Sequence, residues 1–267
     1  MSPLYASYWR LIATCLISVA LITGCGSGSF TSAGASSGGT GILVASISGS
    51  VADGYLEKAT VFLDKTPTNY QLDAGEPFAI TDQNGAYTLT IDAADIGRYP
   101  IVALVIKGVT IDKDTNQPVA NSYLLSMPKN SVSGTASTNF ISPITSQLRE
   151  MMETGSYTST QQAADALRVQ MGLPGGTNIM ADYIAANNTA LHTAAQNMAT
   201  LMGNQMDQVI SMSGSTVTVD VTRYRSMMGT MFNNMSTVMG ARSQTDMAEL
   251  GRTMTGMMSS MPSSFRK

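Results

Sequence analysis

The chain has 267 residues, a net charge of −3, two cysteines and one histidine. Because it lacks the basic excess from which nucleic-acid binding draws its affinity, we expect no nucleic-acid partner. With one histidine and two cysteines, the chain lacks the residues from which hydrolytic triads and zinc sites are usually built, so we expect no enzyme.

Residues 1–24 have the composition of an export signal. Arg10 precedes the charge-free run 11–22, which is shorter than the roughly 20 apolar residues of a transmembrane helix. The run ends at Ile22-Thr23-Gly24-Cys25, which resembles the processing motif of bacterial lipoproteins. The resemblance implies cleavage before Cys25 and a covalent lipid on its thiol. It also implies a membrane partner reached through that lipid.

Residues 25–41 follow as a lipid-anchored linker rich in Gly and Ser, with almost nothing to bury. We predict a flexible spacer between the lipid and the first folded element. In lipoproteins of Gram-negative cells an Asp after the lipidated cysteine favours the inner membrane. Gly26 stands there instead, so the resemblance implies a location in the cell envelope at the outer membrane.

Residues 42–128 show either period-two alternation of apolar residues or short apolar runs, separated by Gly, Pro, Asn and Asp. This pattern is typical of short antiparallel strands. Asp82-Gln83-Asn84-Gly85 is the clearest turn, because Asn-Gly accepts the positive φ of a tight hairpin. The predicted strands are 43–50, 59–64, 78–81, 86–91, 101–109 and 122–125. They predict a small antiparallel β-sandwich.

Four sequence blocks occur in order within this region: 49–54 (GSVADG), 59–64 (ATVFLD), 73–77 (DAGEP) and 81–87 (TDQNGAY). Their order and spacing resemble the carboxypeptidase regulatory-like or Cna protein B-type β-sandwich of bacterial surface lipoproteins. The resemblance implies a transthyretin-like stalk, spacer or adhesive module without hydrolase activity. Some relatives form a Lys–Asn isopeptide bond, which is not expected here because the first strand contains no lysine.

The loop between the second and third predicted strands carries oxygen ligands of the kind that calcium prefers. Its candidate calcium-binding residues are Asp64, Asn69, Asp73 and Glu76. The loop is interpreted either as a calcium site or as a solvated loop, and Thr66 and Thr68, at positions where Asp or Asn would be stronger ligands, favour the second interpretation. No other cofactor is expected. A second acidic loop, 112–116, is predicted to be a plain turn between two strands.

After residue 128 the periodicity becomes helical. Ser142-Pro143 opens a helix that ends near Gly155, and a capping box, Ser159 to Gln162, opens a second that ends at Gly172. Later helices are predicted at 181–212, 223–239 and 245–258, with a short strand at 216–221. The fold class is therefore α+β with two domains, in which the sandwich 42–128 precedes a mainly α-helical, Met-rich domain 129–267.

Methionine is concentrated in this second domain, where 18 of the 20 lie between Met151 and Met261. Met227, Met231, Met235 and Met239 recur every fourth residue, which aligns them on one helix face. Three interpretations stay open: a buried packing face, a soft-metal site for Cu(I) or Ag(I), and an adaptable surface for a partner. The spacing favours packing, because any buried helix face needs it.

His192, the single histidine, has no second His, Cys or carboxylate three or four residues away. It is interpreted as an ordinary helix residue rather than a ligand. Together these patterns predict a membrane-anchored exported lipoprotein that acts as a non-enzymatic surface binding or structural module for a protein or glycan partner. The alternative is a metal-handling envelope protein that uses the Met faces or the calcium loop.

Overall fold

The structure, a computed structural model, describes residues 43–65, 67–134, 139–213, 216–241 and 244–261. Within these residues it has twelve strands and six α-helices, so the predicted α+β class is confirmed. The strands are β1 (Val44–Val51), β2 (Leu56–Glu57), β3 (Thr60–Leu63), β4 (Phe78–Ile80), β5 (Ala86–Asp92), β6 (Ile101–Val105), β7 (Ile111–Asp112), β8 (Gln117–Pro118), β9 (Tyr123–Met127), β10 (Asn139–Ile141), β11 (Ile210–Ser213) and β12 (Thr216–Val219). The helices are α1 (Pro143–Glu153), α2 (Thr160–Gln170), α3 (Thr189–Gln205), α4 (Val221–Asn233), α5 (Met235–Gly240) and α6 (Gln244–Ser260).

The predicted signal peptide 1–24, the linker 25–41 and Cys25 lie outside the described residues. Contacts between Cα atoms delimit Gly41–Lys267 as one compact unit. A search of the described helices finds none with the length and apolar character that crossing a membrane requires.

All six strands predicted for residues 42–128 are present, as β1, β3, β4, β5, β6 and β9. Together with β10 they form a three-stranded sheet in the order β10-β1-β5 and a four-stranded sheet in the order β4-β3-β6-β9. In β5 every second side chain is buried, whereas every residue of β6 and β9 is buried. The sheets contact each other through β3, β4 and β5, and α1 and α3 lie against β9. Burial on both faces explains why β6 and β9 read as continuous apolar runs.

The short strand β10 pairs in parallel with β1, with Gly49 opposite Asn139. A Cβ atom at position 49 would lie 1.9 Å from the carbonyl oxygen of Asn139, so this close approach requires glycine. Sequence periodicity did not indicate β10, because three residues are too few for a pattern and their partner lies 90 positions earlier in the register. This strand follows the predicted domain boundary at residue 128, yet it completes a sheet that begins before it.

Three further strands, β2, β7 and β8, were also missed and form a small sheet of two-residue pairs. The turn between β7 and β8 contains the acidic loop 112–116, so the prediction of a plain turn there is confirmed.

Side chains also join the strands to the helices. The guanidinium of Arg149 in α1 binds the carboxylate of Asp64, and the hydroxyl of Tyr224 in α4 donates to the carbonyl of Leu124.

The beginning of α1 confirms the sequence prediction. Ser142 is the N-cap, its hydroxyl accepts from the backbone N–H of Thr145, and Pro143 occupies the first turn. The hydroxyl of Thr145 in turn accepts from the backbone N–H of Ser142, which completes a reciprocal cap. At α2 the predicted cap is half present, because Ser159 accepts from the N–H of Gln162 while the Gln162 side chain accepts from Thr158 instead.

The predicted long helix 181–212 is wrong. The helix α3 starts only after Asn188, whose side chain accepts from the N–H of Leu191 and acts as its N-cap. Asn187 just before it has φ of 53°, a left-handed conformation that breaks any helix running through it. After α3 the chain forms a short 3-10 turn and the hairpin β11–β12. The composition of residues 206–212 favours a helix, but Ile210 pairs in antiparallel with Val219, so a strand forms there instead.

The predicted single helix 223–239 is also wrong, since it is divided into α4 and α5. Asn234 interrupts it with φ of −113° and ψ of 21°, outside the helical range. Its side-chain amide donates to the backbone carbonyl of Thr230, and so competes with the helical hydrogen-bond pattern.

Candidate functional site

The four predicted calcium ligands all form hydrogen bonds within the protein. Asp64 is fully buried, and its carboxylate accepts from the backbone N–H of Asn69 at 3.0 Å and of Tyr70 at 3.3 Å. It also accepts from the Nη2 atom of Arg149 at 2.7 Å, so it faces a cation. Burial raises the pKa of Asp64, and the attraction of Arg149 works in the opposite direction.

The other three predicted ligands form hydrogen bonds within their loop. The side-chain amide of Asn69 donates to Asp73 at 3.0 Å, and the Glu76 carboxylate accepts from the backbone N–H groups of Lys65 and Asp73. Across the part of the chain that is described, no group of three or more His, Cys, Asp or Glu side chains is arranged to hold a metal ion. Calcium binding at this loop stays a prediction.

The four methionines of the predicted soft-metal site are divided between two helices. Met227 and Met231 in α4 and Met235 in α5 are at most 1 % exposed, and Met239 is partly buried against the same core. The same hydrophobic core cluster contains further methionines, namely Met228, Met254 and Met258. The structure therefore places this stripe in the hydrophobic core, and soft-metal binding stays a prediction.

His192 has a partner that its neighbours in sequence do not indicate. Its Nε2 atom lies 2.7 Å from the carboxylate of Asp114, which also accepts from the Gln196 side chain at 2.8 Å. The imidazole stacks on the ring of Tyr183 with 5.8 Å between centroids. Asp114 belongs to the acidic turn 78 positions earlier, so only the folded chain brings the pair together.

Asp53, a buried carboxylate near this turn, has a raised pKa. Burial raises its pKa to about 7, while the hydrogen bond from the hydroxyl of Tyr123, at 2.8 Å, lowers it. The charge of the nearby Asp112 also raises it. The Oδ1 atom of Asp53 has no hydrogen-bond partner within the described ranges.

A different region, which we call the Arg149 cavity, carries the densest group of cations. The cavity has a volume of about 580 Å3 and lies between the strand loops and helices α1 and α4. Four cationic side chains line it: Arg98, Lys129, Arg149 and Arg225. A single carboxylate, that of Glu153, is part of the same wall. In a chain with only 12 % charged residues, this concentration of positive charge singles out the cavity.

Arg149 is the buried centre of this wall, and its side chain is 1 % exposed. Its Nη2 atom donates to Asp64 at 2.7 Å and its Nε atom to Glu153 at 2.8 Å. The ring of Tyr70 covers one face of the guanidinium at 3.8 Å. The remaining nitrogen, Nη1, is buried and forms no hydrogen bond to any described residue. Burial opposes the charge of Arg149, but the neighbouring Tyr70, Glu153 and Asp64 outweigh it and raise its pKa, so the side chain remains cationic.

Two glutamates of α1 contact these cations in different ways. Glu150 is 3 % exposed, accepts a hydrogen bond from the hydroxyl of Tyr70, and lies 3.5 Å from the Nε atom of Arg225. Burial raises its pKa to about 7, although the bond from Tyr70 and the charge of Arg149 lower it. For Glu153 burial also raises the pKa, but Arg149 and Arg225 outweigh burial and the net shift is downward. Arg225 binds Glu153 at 2.6 Å from α4.

Sequence reasoning missed this cavity. Its centre, Arg149, lies within an amphipathic helix and looks like an ordinary solvated charge, while its partner Asp64 lies 85 positions away. The only signal was local: Arg149, Glu150 and Glu153 form a charged group within a chain that has few charges.

Comparisons with known proteins return no match to this chain among protein-family models, curated proteins or solved structures. The resemblance to lipoprotein sandwich domains therefore rests on the sequence blocks alone. What the chain can bind has to be argued from the Arg149 cavity itself.

Proposed function

We propose that this chain is a membrane-anchored exported lipoprotein that acts as a non-enzymatic binding module at the outer membrane. The motif Thr23-Gly24-Cys25 supports a lipid anchor, and residues 26–41 are suited to a flexible spacer above the membrane. We further propose that the three- and four-stranded sheets form a transthyretin-like sandwich, to which β10 adds a strand from beyond residue 128.

The Arg149 cavity is the observation that carries the binding proposal. Small-molecule sites are concave, have volumes of about 300–1,000 Å3 and combine apolar walls with a few convergent polar groups. The volume of about 580 Å3 lies within that range, and the wall combines four cations with Tyr99, Pro100, Pro128 and Met152. A concave wall of this composition suits capture of a negatively charged ligand.

The anchor is tested by replacing its attachment point. Cys25→Ser removes the thiol that would carry the lipid, so the protein should move from the membrane fraction to the soluble periplasmic fraction. Cys15→Ser, within the predicted signal peptide, is the matched control and should leave the protein in the membrane. Membrane partitioning of Cys25→Ser equal to that of the unchanged protein would contradict the lipid anchor.

A further inference from the structure

We infer that the Arg149 cavity is a phosphate-binding site, which takes the phosphate monoester group of a small organic molecule. This inference deepens the proposed binding function and rests on it. It is carried by an incomplete set of hydrogen bonds, by cations without ion pairs, and by the size and composition of the wall.

The first observation is the unused donor of Arg149. A buried N–H group without an acceptor costs free energy, and a guanidinium has five donors in a planar fork. Two sides of the Arg149 fork are occupied by Asp64 and Glu153, which fix its position, while Nη1 is left without an acceptor among the described residues. Arg149 belongs to the cavity lining, so an oxyanion entering the cavity would supply that acceptor once the side chains that cover Nη1 shift, while Asp64 and Glu153 keep the guanidinium in place.

The second observation is excess positive charge in the wall. Within the described ranges neither Arg98 nor Lys129 forms an ion pair. Both residues are exposed, and the guanidinium of Arg98 lies 5.6 Å from the ring centre of Tyr99. Arg225 is 42 % exposed and is already paired with Glu153. The positive charge that can attract a ligand therefore lies on Arg98 and Lys129, the exposed cations of the cavity wall that form no ion pair with a described residue.

These cations fit a phosphate better than a carboxylate. A phosphate monoester carries a charge of about −1.5 to −2 at pH 7 and presents three acceptor oxygens, whereas a carboxylate has one charge and two oxygens. The cations that can converge come from separate segments: Arg98, Lys129 and Arg149. Three donors from separate segments match a tetrahedral group, while the fork of one arginine is sufficient for a planar carboxylate.

The third observation is the size of the cavity. Its volume of about 580 Å3 greatly exceeds the ~30 Å3 that one water molecule occupies in the liquid, so a bare phosphate would leave most of it empty. Tyr99, Pro100, Pro128 and Met152 supply apolar surface for the organic part of a ligand. Such a phosphate group could belong to a soluble metabolite or to a lipid headgroup, since both present the same chemistry.

Isothermal titration calorimetry on the full chain carrying Cys25→Ser tests the inference without interference from a lipid anchor. The probes are inorganic phosphate, glycerol phosphate and acetate, together with phosphatidylcholine vesicles with and without phosphatidic acid. We expect glycerol phosphate to bind more tightly than inorganic phosphate, and acetate to bind at least about tenfold more weakly than either. Stronger binding to phosphatidic acid vesicles than to glycerol phosphate would assign the site to a lipid headgroup, and the reverse order would assign it to a soluble ligand.

Variants connect the binding to the cavity. Lys129→Gln removes an exposed cation of the wall and should weaken glycerol phosphate binding by about tenfold or more, because a charge-assisted contact is lost. Lys107→Gln, a change of the same kind at an exposed lysine outside the cavity wall, is the matched control and should leave the affinity unchanged. Arg149→Lys keeps the charge but loses the fork, and should weaken binding in chains that circular dichroism identifies as folded.

No phosphate binding up to about 10 mM would overturn the inference, because such an affinity is weaker than any functional site needs. Equal affinity for acetate and glycerol phosphate would overturn the assignment to phosphate, and an equal effect of Lys107→Gln and Lys129→Gln would overturn the assignment to this cavity. None of these results bears on the anchor, which membrane fractionation of Cys25→Ser tests separately.

Discussion

The buried carboxyl groups of Glu150 and Asp53 should both make the stability of this protein fall as the pH rises, and Glu150→Gln should remove the part of that dependence that Glu150 contributes. Burial raises the pKa of Glu150 from its ordinary 4.5 to about 7 in the folded state. Between these values the folded chain holds a proton that the unfolded chain has released. The stability that this group contributes is therefore fully present below about pH 4.5 and is lost as the pH rises through about 7.

The size of the effect follows from the shift. One pKa unit corresponds to about 1.36 kcal/mol, so a rise from 4.5 to about 7 corresponds to about 3 kcal/mol. A typical domain is stable by about 5–15 kcal/mol, so this single group controls a substantial fraction of the total. Glutamine has nearly the same shape, is neutral at every pH, and still offers an oxygen to the hydroxyl of Tyr70. We therefore expect Glu150→Gln to exceed the unchanged protein by less than about 1 kcal/mol near pH 5 and by up to about 3 kcal/mol near pH 8.

The assay is urea unfolding followed by circular dichroism at several pH values from about 5 to 8, with the free energy of unfolding extrapolated to water. Glu249→Gln makes the same chemical change at a side chain in α6 that is 72 % exposed, and it should leave the pH dependence as it is. The reasoning would be refuted by parallel pH profiles for Glu150→Gln and the unchanged protein. A variant that is less stable near pH 8 would refute it as well, because the carboxylate would then be stabilising in its charged form.

Two further predictions concern packing. Gly49→Ala should destabilise the fold by at least about 2 kcal/mol in urea unfolding, because the new Cβ would lie 1.9 Å from the Asn139 carbonyl oxygen. The control is Gly175→Ala, where a Cβ meets no atom within 4 Å, and it should change stability by less than about 1 kcal/mol. If both substitutions cost the same, the close pairing of β1 with β10 would be refuted. Met231→Leu combined with Met235→Leu should cost less than about 1.5 kcal/mol per site and should leave Cu(I) competition against a chromogenic chelator unchanged, because both side chains pack in the core. Tight one-to-one Cu(I) binding that this double variant abolishes would instead support the soft-metal interpretation.

Much of the architecture could be predicted from local patterns. Alternation of apolar residues predicted strands with one buried face, such as β1 and β5, because such a strand repeats every two residues. Short continuous apolar runs predicted β6 and β9, which are buried on both faces. Ser142-Pro143 predicted the start of α1, because an N-cap hydroxyl and a first-turn proline act within a few residues of each other. The i, i+4 spacing of Met227 and Met231 indicated a buried helix face, and both are buried in α4.

Tertiary structure decided the rest, because the deciding interactions join residues that are distant in sequence. The strand β10 forms because it pairs with β1. The hairpin β11–β12 forms in place of the end of the predicted helix, because its two strands pair with each other. The Arg149 cavity has the same origin: Asp64 and Glu153 hold the guanidinium from two segments, and burial leaves Nη1 without an acceptor. Periodicity, capping and turn signals act over a few residues, whereas the position of a buried charge depends on which distant segment supplies its counter-charge. That pairing is fixed only when the strands and helices pack together.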